Sequence, residues 1–303
     1  MKTTGRREFI GSMLALSMVG GCALPKTDGS TGPVTFGVIT DLHSGRLRTV
    51  GGSKGRFYAQ SPAKLAECVG FMNEHRPDFL IELGDMKDAG KDEAETLSFL
   101  DEIEAEFRKF KGPRYHVLGN HDEDRISKAQ FLGRIENTGF ARALPHYAFT
   151  VKGIRFIVLD ANYNPNGTDY DRGNFDWTKA MVPPTEIRWL REELEASQGP
   201  VVIFCHQRLD DPGNPHTVIN ASEVREVFAA AHGKVKAVFQ GHHHTGDFKV
   251  VDGVNYVTFK AAVTGPAPEQ NAYALVTLHP DGSIEVEGRR TETSRKFTLT
   301  FAV

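Results

Sequence analysis

Val34-Thr35-Phe36-Gly37-Val38-Ile39-Thr40 is a short apolar run that stops at Asp41-Leu42-His43, and the same event recurs four times along the chain. Phe79 to Leu83 stops at Gly84-Asp85, and Tyr115 to Leu118 stops at Gly119-Asn120-His121-Asp122. Val201 to Cys205 stops at His206, and Val235 to Phe239 stops just before Gly241-His242-His243-His244. Short apolar runs bounded by Gly, Asp and Asn read as buried strands. Between them apolar residues recur at helical spacing: Leu65, Val69 and Met72 within Pro62 to His75, and Leu97, Leu100, Ile103 and Phe107 within Glu93 to Phe110. Pro184 to Ala196, opened by Pro183-Pro184, and Ser222 to Ala231, with Ser222 as N-cap, read as two more helices. Ile154 to Leu159 is a further strand, with Asp160 at its end. Alternating strands and helices predict an α/β fold.

Beyond His244 the pattern changes. Phe248 to Val251 and Val254 to Phe259 flank Asp252-Gly253, a strong hairpin signal. Tyr273 to Leu278 and Ile284 to Glu287 flank Pro280-Asp281-Gly282. The β-α repeats therefore give way to antiparallel strands. A chain of 303 residues, 40% hydrophobic and 25% charged, excludes a disordered, collagenous or disulfide-stapled protein. The net charge of -3 gives no general attraction to nucleic acid or anionic lipid. Cys68 on a helical pattern and Cys205 in a strand pattern read as small buried hydrophobes.

The first residues read as an address. Arg6-Arg7-Glu8-Phe9-Ile10 resembles a twin-arginine export signal, and Val19-Gly20-Gly21-Cys22 resembles a bacterial lipobox. The intervening apolar run is far shorter than the ~20 residues a membrane span needs. The expectation is a signal over 1–21, a polar tether over 22–33 carrying lipid on Cys22, and a catalytic domain over 34–303. That places the protein in the periplasm, with membrane contact only through the lipid.

In an α/β fold, loops at the carboxyl ends of strands converge on one sheet edge. The polar residues that end the five strands are Asp, Asn and His, oxygen and imidazole donors without thiolate. Such a set suits Mn, Fe, Zn or Ni rather than a cysteine-rich structural zinc. Asp41, His43, Asp85, Asn120, His206, His242 and His244 are seven candidate ligands, more than one four-coordinate ion uses. Two ions sharing one carboxylate account for all of them, and Asp85, alone behind its glycine, is the natural bridge. Alternation along an extended segment puts His242 and His244 on one side and leaves His243 out.

D-x-H, G-D, G-N-H-D, a lone His after a strand and G-H-x-H, in that order, make the chain similar to calcineurin-like metallophosphoesterases. The resemblance implies a four-layer α/β/β/α sandwich of two mixed sheets. It implies two divalent ions (Mn, Fe, Zn or Co), one on Asp41, His43, Asp85 and His244, the other on Asp85, Asn120, His206 and His242. It implies hydrolysis of a phosphodiester or pyrophosphate by a metal-bridged hydroxide. His121 then faces the substrate, and Asp122 orients its ring; as imidazolium, His121 would either protonate the leaving alkoxide or stabilise charge on the transferring phosphoryl.

Arg56-Phe57-Tyr58, the Pro62 helix and Leu83-Gly84-Asp85 resemble the manganese-dependent ADP-ribose/CDP-alcohol diphosphatase branch. That implies a small phosphorylated, nucleoside diphosphate-linked substrate. Separately, the loop from Ser44 to Tyr58 carries Arg46, Arg48, Lys54 and Arg56, and reads either as a contact to a second phosphate, through Arg46 and Arg56 above all, or as a solvated glycine-rich loop. Purple acid phosphatases carry Tyr three residues after the G-D aspartate, where this chain has Asp88. Asp160 and Asn162 are expected at the pocket edge, and Tyr163, Tyr170 and Trp177 lie in a long irregular stretch that either forms a lid over the pocket or packs over the sheet. The alternatives are a phosphomonoesterase of the same fold and a catalytically silent metal-binding lipoprotein.

Overall fold

A computed structural model describes residues 32–46 and 55–298. The expected export signal, the tether up to residue 31, Cys22, Arg48 and Lys54 lie outside the described residues. In chain order the elements are β1 (Val34–Ile39), α1 (Ser61–His75), β2 (Phe79–Glu82), α2 (Glu93–Phe107), β3 (Arg114–His116), α3 (Lys128–Leu132), β4 (Tyr147–Val151), β5 (Ile154–Val158) and α4 (Pro184–Ala196). They continue with β6 (Val201–Cys205), α5 (Ala221–Ala230), β7 (Val235–Gln240), β8 (Thr245–Val251), β9 (Val254–Lys260), β10 (Ala272–Leu278), β11 (Ser283–Arg290) and β12 (Arg295–Thr298).

The strands form two mixed sheets, β12-β11-β10-β1-β2-β3 and β4-β5-β6-β7-β9-β8. β1, β2 and β3 run parallel, as do β5, β6, β7 and β9, so the loops that follow β1, β2, β3, β6 and β7 leave from carboxyl ends. The sheets pack face to face on aromatic rings: Phe36 stacks on Phe79 at 4.9 Å and meets Phe204 edge-on at 5.6 Å. Leu65, Met72, Leu100 and Phe107 of α1 and α2 cover the first sheet's outer face, and Leu190, Leu194, Val224 and Phe228 of α4 and α5 cover the second's. Each such side chain, fully buried, contributes about 1.5–3 kcal/mol. The result is the α/β/β/α sandwich.

Three elements escape the sequence patterns. β4 joins β5 through Lys152-Gly153, both at positive φ (46° and 83°), the same turn geometry as Asp252-Gly253 (51° and 77°). Lys lacks the short side chain that eases Asp or Asn into that region, so the signal is weaker. β12 is a half-exposed edge strand, and α3 spans 5 residues, too few for a helical period. Ser222 lies inside α5 rather than capping it: the helix begins at Ala221 after Asn220, whose side chain is spent on both backbone groups of Val182.

Candidate metal centre

The loops after β1 and β2 run side by side. Asp41 N–H donates to Gly84 O (3.0 Å), His43 N–H to Asp85 O (2.8 Å) and Ser44 N–H to Met86 O (3.0 Å). The loop after β3 is pressed onto them at Gly119. A Cβ on Gly84 falls 2.6 Å from His206 Nδ1 and 2.7 Å from Gly119 N, and one on Gly119 lands on the Asp85 backbone. Only glycine permits that approach. Asp41, His43, Asp85 and His242 all hold positive φ, between 46° and 64°. For residues other than glycine that costs about 1–3 kcal/mol each, and such strain collects at functional sites.

Hydrogen bonds at the far atoms aim the near ones inward. Asp41 Oδ2 accepts from Thr40 Oγ1 (2.8 Å) and His242 N–H (3.1 Å), which leaves Oδ1 facing His244 Nε2 at 3.2 Å and His43 Nε2 at 3.8 Å. Asp85 Oδ1 accepts from His121 N–H (2.7 Å), which leaves Oδ2 between His206 Nε2 (3.2 Å) and His43 Nε2 (3.6 Å). His206 Nδ1–H donates to Leu83 O (2.8 Å) and His43 Nδ1–H to Asp88 Oδ2 (3.3 Å), so each presents a bare Nε2. His43 and His244 face each other Nε2 to Nε2 at 3.2 Å.

These residues fit metal ions on two observations. Asp41 Oδ1, Asn120 Oδ1, His206 Nε2 and His242 Nε2 are buried with no hydrogen-bond partner. A buried polar group left so costs about 1–3 kcal/mol unless something else satisfies it. His206 Nε2 and Asp41 Oδ1 approach their neighbours at 3.2 Å without the alignment of hydrogen bonds. Donors about 2.1 Å from one ion sit roughly 3.0–3.4 Å from each other, which matches that spacing. Asp41–His43–His244 and Asp85–His206–His242 form two groups whose ligand atoms lie within 4.8 Å of one another. A third such group, His43–Asp88–His121, joins the first at His43.

Burial opposes charge throughout the site; it prevails at His242 and His244, whose imidazoles are held toward the neutral form, and is overruled by partners at the carboxylates and at His206. Asp41 is held well below the ordinary carboxylate range by His244, His43 and His206, and Asp85 by His206, His121 and His43. His206 is pushed up to about 9 by Asp85 and Asp41. An imidazole that draws a proton this strongly sits where a cation finds the same attraction.

The structure corrects the role of Asp122. Its carboxylate is buried and accepts from Gly119 N–H (2.8 Å), Asp85 N–H (3.0 Å) and Met86 N–H (3.0 Å), tying the second loop to the third. It does not touch the His121 ring. Asp124 Oδ2 takes His121 Nδ1–H at 2.7 Å, with Asp88 Oδ1 at 3.7 Å. Asn120 to Glu123 is a single 3-10 turn, in which side chains at i and i+3 eclipse while i+1 points elsewhere. That spacing was readable in His121-Asp122-Glu123-Asp124. Lys87, buried, donates from Nζ to the carbonyls of His121 (2.5 Å) and Asp124 (2.9 Å) and holds the turn. Nothing in the sequence pattern singles it out.

Other expectations are redistributed. Arg46 is not brought to the site: its guanidinium bonds Glu102 of α2 at 3.0 Å on the surface. Arg56 pairs with Thr264, and its charge reaches His244. His243 turns away to Arg208 Nη1 at 3.1 Å. Asp160 is buried on Lys128 (2.6 Å), and Asn162 is bonded to Leu118 O and Gln207, so both lie beneath the loops rather than at the pocket edge. Tyr163 covers Lys128 and Tyr170 stacks on Phe175, leaving Trp177 as the member of that stretch that reaches the site. His216, which no motif includes, packs against His242 at 5.0 Å.

A two-sheet sandwich with Asp, Asn and His donors gathered at its strand ends defines a metal-dependent hydrolase. The chain belongs to the calcineurin-like phosphoesterase family, whose model matches residues 34–246. It is a metallophosphoesterase, acting on phosphoester or pyrophosphate bonds. A manganese-dependent ADP-ribose/CDP-alcohol diphosphatase from rice is 27% identical over 288 residues, covering 82% of this chain and 88% of the relative. The human protein of the same name is 24% identical, covering 84% and 90%. The fold matches that of a dimetal phosphatase from Danio rerio with a TM-score of 0.74 at 21% identity, over 88% of this chain and 99% of that one. A purple acid phosphatase from yellow lupin shares the fold more distantly, with a TM-score of 0.55 at 13% identity, over 89% of this chain and 54% of that one.

Proposed function

We propose that the site holds two divalent ions and cleaves a diester or pyrophosphate in a nucleoside diphosphate-linked substrate. Asp41, His43, Asp85 and His244 hold one ion, and Asp85, Asn120, His206 and His242 hold the other. The observation that carries this reading is Asp85 Oδ2, placed 3.2 Å from His206 Nε2 and 3.6 Å from His43 Nε2, between the two groups. Divalent ions bound there would supply charge to neutralise phosphate oxygens and to acidify a water for attack on phosphorus. His121 is drawn toward its protonated form by Asp85, Asp124 and Asp88, against the burial that opposes it. Asp124 fixes that proton's partner on Nδ1, so Nε2–H is free to protonate the leaving oxygen as the P–O bond breaks. The names of the rice and human relatives support the substrate class. Arg6-Arg7 and Val19-Gly20-Gly21-Cys22 support export by the twin-arginine route and a lipid anchor.

Metal analysis of stripped and reloaded protein, with rates on p-nitrophenyl phosphate, bis-p-nitrophenyl phosphate, ADP-ribose and CDP-choline, tests the reading. The expected result is two ions per chain, at most one in Asp85→Ala, and fastest turnover on the last two substrates. One ion per chain in the wild type refutes the shared carboxylate, and fastest turnover on p-nitrophenyl phosphate refutes the substrate class.

A further inference from the structure

Three large hydrophobic residues are exposed among the described residues: Trp177, Ile219 and Val250. Trp177 is the aromatic one, and it stands beside the metal centre. Its ring lies 5.4 Å from that of His242, nearly perpendicular (76°), and 5.1 Å from that of His216. The His216 ring closes the triangle at 5.0 Å from His242. His242 Nε2 is among the inward-facing orphan atoms, so the indole stands one imidazole away from the ion that His242 would hold.

Both walls are built, not loose. Asp176 Oδ1 accepts from Thr178 N–H (3.1 Å) and Oγ1 (2.6 Å), which sets the turn that carries Trp177. Asn214 Oδ1 accepts from His216 N–H (3.0 Å) and lies 3.0 Å from its Nδ1. The two segments are tied together by Ile219 N–H to Ala180 O (2.9 Å) and by Asn220 to Val182. Trp177 is 39% exposed, although burying an indole is favourable. What singles out this indole is its place: a π-face at the rim of the metal centre, 5.4 Å from the His242 ring, is a surface on which a base can stack.

We propose that Trp177, backed by His216, is the stacking platform for the heteroaromatic base of the substrate. This rests on the proposed nucleoside diphosphate-linked class and adds where its base lies. A phosphate on the ions leaves the base at the lip, where a π-face is the surface that every base shares. The wall therefore selects for an aromatic group without reading which base it is.

The test is a titration of metal-loaded protein with AMP and with ribose 5-phosphate, which share a phosphate and a ribose and differ in the base. Trp189→Phe removes the second tryptophan, so emission reports Trp177. AMP is expected to quench it and ribose 5-phosphate to leave it unchanged while still competing with AMP. By calorimetry, Trp177→Ala is expected to lower the ratio of AMP to ribose 5-phosphate affinity by about 5- to 150-fold, with a smaller drop in His216→Ala. If both ligands bind but the ratio is unchanged in Trp177→Ala, the platform is refuted and the phosphate site stands. If neither ligand binds, the proposed function fails and this inference with it.

Discussion

Asp122→Asn separates the role the structure gives this carboxylate from the one the sequence suggested. The native oxygens take three backbone N–H groups at 2.8–3.0 Å from Gly119, Asp85 and Met86. Asn keeps one oxygen and turns an NH2 toward the N–H groups the other oxygen served. Turned one way it loses Met86 and the longer bond from Lys87 N–H (3.5 Å); turned the other it loses Gly119 and Asp85. An unsatisfied buried N–H costs about 1–3 kcal/mol, so the better orientation loses that amount plus the charge assistance on the remaining bonds, about 2–4 kcal/mol in all. Removing a buried charge returns part of it, since burial itself disfavours the Asp122 anion. The expected net loss is about 1–3 kcal/mol, read as a lower urea midpoint with unchanged slope. Because the loops after β2 and β3 separate, metal affinity falls as well. Asp124→Asn, partly exposed and bonded to the His121 ring, is expected to cost at most about 1 kcal/mol of stability while lowering turnover. The reasoning is refuted if Asp122→Asn keeps wild-type stability and metal affinity and loses only turnover.

His121→Ala is expected to keep both ions by metal analysis and to lose about 100- to 10,000-fold in rate on CDP-choline, with a smaller loss on bis-p-nitrophenyl phosphate, whose leaving group needs no proton; wild-type rates on CDP-choline contradict the assignment. Glu186 is pushed up to about 7 by burial, against the pull of His146, from an ordinary 4.5. Between these values the folded state keeps a proton that the unfolded chain has lost, so this group's contribution to stability falls as pH rises through that window and stays low above it. Glu186→Gln is therefore expected to gain on the wild type from pH 4.5 to 7 in denaturant titrations, and a gap constant with pH contradicts it. Cys22→Ser is expected to move the protein from the membrane fraction to the soluble periplasm, and an unchanged distribution contradicts the lipid anchor.

The alternation of apolar runs and helical spacings was enough to read an α/β chain, because strand and helix periods are local and each run carries its own. The seven candidate ligands are legible for a related reason: each lies in the loop just past a strand, and parallel strands deliver their carboxyl ends to one edge of their own sheet, although β1, β2 and β3 belong to one sheet and β6 and β7 to the other, so the meeting of the two edges was left to the packing of the sheets. Short-range chemistry also explains the hairpin at Asp252-Gly253, whose residues tolerate positive φ. By contrast, β4 turns on Lys152-Gly153, where the fold holds Lys in a conformation its side chain does not favour.

What tertiary structure decided is which polar atom meets which. The sequence places Asp122 next to His121, yet adjacency along a helical turn separates side chains, and Asp124 reaches the ring instead. Arg46 and Arg56 look alike in one basic loop, but Glu102 of α2 claims the first and the site region keeps the second. Lys87 and His216 carry no pattern because their partners arrive from distant segments, and Trp177 is marked only as one aromatic among three in an irregular stretch until the fold brings it to His242. A sequence determines where donors lie along the chain; the packing of loops against one another determines where their lone pairs and protons point.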